Sequence, residues 1–223
     1  MKFSSWIIIP SFLAAVGLLM GFSWDKVGKG DITPSLSSGK KIDSTEFMLN
    51  LTDGSKAYLG ALGEFLRPSG ESSYADELQD FSAGTPRPWD AAMFKAASAK
   101  AKAAPVSSET SIKAPKDIAS AHITGSFVLA GYAGYLFKEA LQDSEAIVRN
   151  PMKMPVDTTK AAGEAAKVLP SFIKNAALIV TKSSQYMSKK GIAKPSVEEA
   201  TLIIQNHVGF VRTEVVDRFL KSG

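Results

Sequence analysis

Apolar and polar residues divide this chain into one long uncharged run followed by a series of shorter stripes at helical spacing. Between Lys2 and Asp25 there is no charged residue for 22 positions. At 1.5 Å per residue a helix of that length spans ~33 Å, enough for a ~30 Å hydrocarbon core. Trp6 and Trp24 stand where aromatic side chains meet the two membrane surfaces. The run therefore predicts a transmembrane anchor over residues 1–24. The competing reading is a cleaved signal peptide. A signal peptide needs a shorter apolar core, but Gly21-Phe22-Ser23 supplies a small-x-small triplet before Trp24. Pro10 removes one backbone bond about one turn in. Ala14, Gly17 and Gly21 fall on one small-residue face that lets a second membrane helix approach closely. They are the expected helix–helix interface.

Residues 25–115 read as a linker-rich region with short helices. Gly, Ser and Lys dominate residues 25–42. Asp43-Ser44-Thr45-Glu46 is a helix-start pattern. Asp53-Gly54 would close a hairpin or break two helices. The spacing of Tyr58, Leu59, Leu62, Phe65 and Leu66 favours a helix from Ser55, stopped by Pro68 and Gly70. Asn50-Leu51-Thr52 matches an N-glycosylation acceptor, a pattern of low specificity. A short helix is expected over residues 73–81 with Asp76 as its cap. An alanine-rich helix follows at 91–104, then a proline-bracketed linker at 105–115.

Residues 116–223 read as a C-terminal helical domain. Residues 118–137 form a second uncharged stretch, but it holds His122, three glycines and several hydroxyls. A buried central helix of a bundle is the expected reading, and a second membrane segment the competing one. Asp157 is placed to cap the next helix, and Pro170 to kink it or start a new one. Gly191 stops it after a lysine-rich last turn. Ser196 and Glu199 form a capping box, and Ile204, Val208, Val211, Val215 and Phe219 continue as one helical stripe to the end of the chain. The predicted fold class is all-α: a single N-terminal transmembrane helix, a linker-rich middle, and a C-terminal bundle of about three or four helices.

Composition narrows the chemistry. The chain of 223 residues has no cysteine, which excludes disulfides, thiolate metal sites and a cysteine nucleophile. Its net charge of +4 is concentrated late: residues 25–115 carry 11 Lys/Arg against 12 Asp/Glu, and residues 116–223 carry 14 against 10. That excess suits a solvated helical surface or anionic headgroups. The scattered lysines and scarce arginines form no aromatic–basic platform, so nucleic acid is not an expected partner. His122 and His207 are the only histidines, 85 positions apart and outside any metal-binding spacing. In its glycine-containing helix, His122 is the single candidate ligand for haem or chlorophyll. Its competing role is a core histidine bonded to a neighbour. No phosphate loop and no nucleophile elbow is present. The expectation is no catalytic residue, no metal and no cofactor.

These readings predict a non-catalytic accessory or structural subunit of a multi-subunit membrane complex. Its partners would be other membrane-protein subunits and membrane lipid. It would be single-pass, in a bacterial inner membrane or an organellar membrane, with most of the chain on the non-cytoplasmic side. The alternative is a secreted or periplasmic helical ligand-binding protein whose first segment is removed.

Overall fold

The computed structural model describes residues 42–83, 87–209 and 211–221, and among them every regular element is helical. The anchor expected over residues 1–24, with Trp6, Ala14, Gly17, Gly21 and Trp24, lies outside the described residues. Seven α-helices are described: α1 (Ser44–Leu66), α2 (Ser72–Ala83), α3 (Ala91–Ala103), α4 (Lys116–Arg149), α5 (Val156–Lys190), α6 (Val197–Val208) and α7 (Thr213–Lys221). Helices α1 to α6 belong to one compact unit and α7 to a second.

Helix α1 is the axis of the first unit. The Asp43 carboxylate accepts the backbone N–H groups of Thr45 (2.8 Å) and Glu46 (3.3 Å), the cap that its sequence pattern predicts. Every residue from Asn50 to Gly63 is buried, and α2, α3, α4, α5 and α6 all pack against it. A helix covered on all sides is a core helix whatever its polarity pattern. The Asp53-Gly54 break is thus overturned, because the helix runs unbroken through both residues. Glycine at 54 serves a close approach, since a Cβ there would fall 2.9 Å from two ring carbons of Phe137 on α4. The Asn50 acceptor reading also fails: Asn50 is buried in mid-helix, and the Thr52 hydroxyl donates to the Met48 carbonyl while accepting the N–H of Trp89.

Helices α4 and α5 form a hairpin of 34 and 35 residues joined by a short turn that includes a 3₁₀ segment, Pro151–Lys153. At 1.5 Å per residue each is ~50 Å long. No described helix is long and apolar enough to cross a membrane; of residues 118–137, the stretch 125–134 is buried within α4, while Ile118 and Ala121 near its start are exposed. Tyr58, Phe137 and Phe172 join α1, α4 and α5 in a cluster with ring centroids 5.0–5.9 Å apart. The Ser126 and Ser183 hydroxyls pair at 2.8 Å inside the α4–α5 seam.

Four local expectations need correction. Pro170 starts no new helix; α5 continues through it. The flanking residues Leu169, Phe172 and Ile173 are all buried, so packing holds the helix across one missing backbone bond. Asp157 does not cap α5: the helix begins after Pro155, and the Asp157 carboxylate accepts the Ala91 N–H at the start of α3. Asp76 lies inside α2 and pairs with Arg67 at 2.6 Å. The last stripe is also divided. Gly209, at φ +86°, ends α6, and Val215 and Phe219 belong to α7 in the second unit. The capping box at Ser196 and Glu199 and the left-handed stop at Gly191 are found as predicted.

Candidate functional site

The two histidines, far apart in sequence, meet at one carboxylate. Glu64 sits in the last turn of α1, His122 in the second turn of α4 and His207 near the end of α6. Glu64 Oε2 is 2.7 Å from His122 Nδ1, and Glu64 Oε1 is 3.2 Å from His207 Nε2. The three side chains retain 16 %, 30 % and 18 % of their exposure respectively.

Glycines make the room. A Cβ at Gly60 would fall 2.9 Å from the His207 ring, and one at Gly125 would fall 3.4 Å from the Glu64 side chain. One turn before Glu64, Gly60 lets α6 close onto α1; at Gly125, three residues after His122, a Cβ would meet Glu64 at ordinary contact distance. Glycine at position 60 weakens α1 locally by about 1 kcal/mol, and what it permits is direct contact between α1 and α6 at ionisable groups.

The hydrogen-bond partners favour the charged form of one member. His207 Nδ1 is 3.0 Å from the Ile203 carbonyl, which only accepts, so Nδ1 must donate. Its Nε2 faces a carboxylate oxygen, so it donates as well. An imidazole that donates from both nitrogens is an imidazolium. Burial alone would lower the pKa of His207, but the Glu64 bond, the Ile203 carbonyl and the Glu64 charge together raise it above its ordinary 6.5. Glu64 is the mirror case. Burial would raise its pKa, but the bonds and charges of His207 and His122 hold it below its ordinary 4.5. The cluster is a partly buried charged clasp that ties α1, α4 and α6.

Among the described residues no group of three or more His, Asp or Glu is arranged to hold a metal ion. Here the nitrogens and oxygens stand at hydrogen-bond separations from one another, so the protons between them take up the donor directions. His122, the candidate cofactor ligand, commits its Nδ1 to Glu64.

A second buried ionic group lies earlier on α1, toward its N-terminus. Arg87 Nε and a terminal guanidinium nitrogen each bond an Asp53 oxygen at 2.6 Å, with Asp53 only 1 % exposed. Lys56, one turn from Asp53, is also buried. Desolvation lowers its pKa, Asp53 opposes that shift, and Arg87 adds to it.

Neither cluster was visible in the sequence. Glu64 and His207 are separated by 143 positions and belong to no motif. The nearest local signals were the glycines at 60 and 125, whose spacing to the ionisable residues becomes meaningful only once the helices are paired. No known protein family, described protein or solved structure matches the chain.

Proposed function

We propose that this protein is a non-catalytic accessory subunit of a multi-subunit membrane complex, held by one transmembrane helix within residues 1–24. The observation that carries this reading is the 22-residue uncharged run ending at Trp24. It is joined by residues 25–41 to the capped start of α1. The Ala14, Gly17 and Gly21 face would meet a partner transmembrane helix. The helical body, on the non-cytoplasmic side of a bacterial inner or organellar membrane, would present its surface to other subunits. In this reading the Glu64 clasp holds the body's helices in register and no reaction is assigned to it.

The alternative, a secreted or periplasmic helical ligand-binding protein, draws support from a cavity of about 800 Å³ lined by Ile42, Asp43, Ser44, Ile147, Asn150 and Met154, among others. Affinity purification of the native protein in mild detergent, with partners identified by mass spectrometry, separates the two. An intact mass retaining the first segment together with a stoichiometric membrane partner supports the accessory subunit. A mass lacking residues 1–23, or a detergent-solubilised monomer with no partner, overturns it.

A further inference from the structure

Helix α6 hangs between two glycines. Gly191 before it and Gly209 after it both have positive φ, +61° and +86°, and a Cβ placed on either would stand in open space. Residues 192–195, between Gly191 and the Ser196 cap, form no regular structure. The backbone on both sides of the helix can therefore turn without a neighbour having to move. The helix itself is lightly held. Of its 12 residues only Ala200, Ile204 and Val208 are buried, while Val197 and Leu202 are exposed. It packs mainly on α1 and α4. A short helix with three buried side chains sits at the low-stability end of a structure, where local opening is easiest.

His207 is its one polar tie to the body. The ring lies against Gly60 of α1 and reaches the Glu64 carboxylate beyond it. From α1, Glu64 faces this ring; from α4, His122 faces the same carboxylate; from its own helix, the Ile203 carbonyl does. Other charges are committed or turned outward. Arg67, one turn beyond Glu64, pairs with Asp76, Glu199 closes the capping box, and Lys116, Asp117 and Glu198 are exposed. A neutral imidazole has one N–H for two acceptors. If it keeps Ile203, a lone pair faces the carboxylate. If it keeps Glu64, a lone pair faces the carbonyl. Either way one tie becomes a repulsion at the place where α6 is closest to α1.

We propose that α6 is a proton-operated flap: with His207 charged it lies closed on Gly60 and Glu64, and when His207 loses its proton it swings open about Gly191 and Gly209. The direction follows from the contacts. They raise the pKa of His207, so the closed form is complete below about 6.5 and is lost as pH rises through the folded value. The flap requires neither the anchor nor a partner subunit.

Hydrogen–deuterium exchange read by mass spectrometry tests it on full-length protein in mild detergent. Protection of residues 197–208 is compared at pH 5.5 and pH 8.5 after correction for the intrinsic pH dependence of amide exchange, with residues 172–183 of α5 as the internal reference. The expected result is a loss of protection in α6 of about tenfold at pH 8.5, with α5 unchanged. His207→Gln should give α6 a weak protection that no longer differs between the two pH values. His122→Gln should keep the wild-type difference. Equal protection of α6 at both pH values in the wild type overturns the flap. So does a loss in α5 in step with α6, which would mean that the whole body loosens. A pH difference that survives His207→Gln but disappears in His122→Gln assigns the proton to His122 and overturns the role of His207.

Discussion

Replacing Glu64 by glutamine tests whether the three-helix clasp is held by charge. Glutamine keeps the shape and one carbonyl acceptor but removes the carboxylate. A hydrogen bond to a charged group contributes about 1.5–3 kcal/mol and a neutral one about 0.5–1.5, so each of the two histidine contacts loses about 1 kcal/mol. With Glu64 and His207 retaining only 16 % and 18 % of their exposure, solvent screening is partial, and Glu64→Gln is expected to cost about 2 kcal/mol. For a chain of this size that corresponds to a fall in melting temperature of roughly 4–8 °C. The pH dependence is the sharper signature. His207 has a raised pKa, so its contribution is fully present below its unfolded value near 6.5 and is lost as pH rises through the folded value. Glu64 has a lowered pKa, so its contribution is present above about 4.5 and is lost as pH falls through the folded value. The stability gap between wild type and Glu64→Gln should therefore be widest between about pH 4.5 and 6.5 and narrow on both sides. Thermal melts by circular dichroism across pH 3.5 to 9, on full-length protein in one detergent, measure it. A gap that is constant with pH, or a variant as stable as wild type at pH 5.5, would refute the charged clasp.

Two other outcomes follow from buried features. Gly54→Ala should destabilise by about 1 kcal/mol, because overpacking against Phe137 costs about 1–3 kcal/mol and outweighs a helix-propensity gain of about 1; a urea midpoint that rises instead would show that α1 and α4 are not held in close contact there. Arg87→Met takes the bidentate partner from a carboxylate that is 1 % exposed and should cost about 3 kcal/mol, as read from denaturant midpoints; a variant with the wild-type midpoint would show that the pair does not hold α1 to the segment before α3.

Signals that act within one or two helical turns were legible in the sequence. The Asp43 cap, the Ser196–Glu199 capping box and the Gly191 stop depend on neighbours a few residues away, and each sits where its pattern places it. Gly54, Pro170 and Gly209 show the limit. The first two read as breaks and break nothing, whereas Gly209 lies within a stripe that reads as one helix and ends it, with its positive φ. At Gly54 the reason for glycine is a phenylalanine 83 positions away, and at Pro170 buried neighbours hold the helix across the missing bond. Helix α1 was underestimated for a related reason. Its polar residues Asn50, Thr52, Asp53, Ser55 and Lys56 are all buried, and polarity in a core helix hides it from any reading based on an apolar stripe. The histidine pair needed the complete bundle, since no spacing within one helix foretells a carboxylate shared between two others.

The long α4–α5 hairpin acts as a ruler. His122 lies 27 residues from the Arg149 end of α4, which at 1.5 Å per residue is ~40 Å along a rod that does not compress. That separation is several Debye lengths at physiological salt. A charge met at the α4–α5 turn and protonation at the clasp would then be electrostatically insulated from each other, and any communication between them would have to pass as mechanical movement of the two helices.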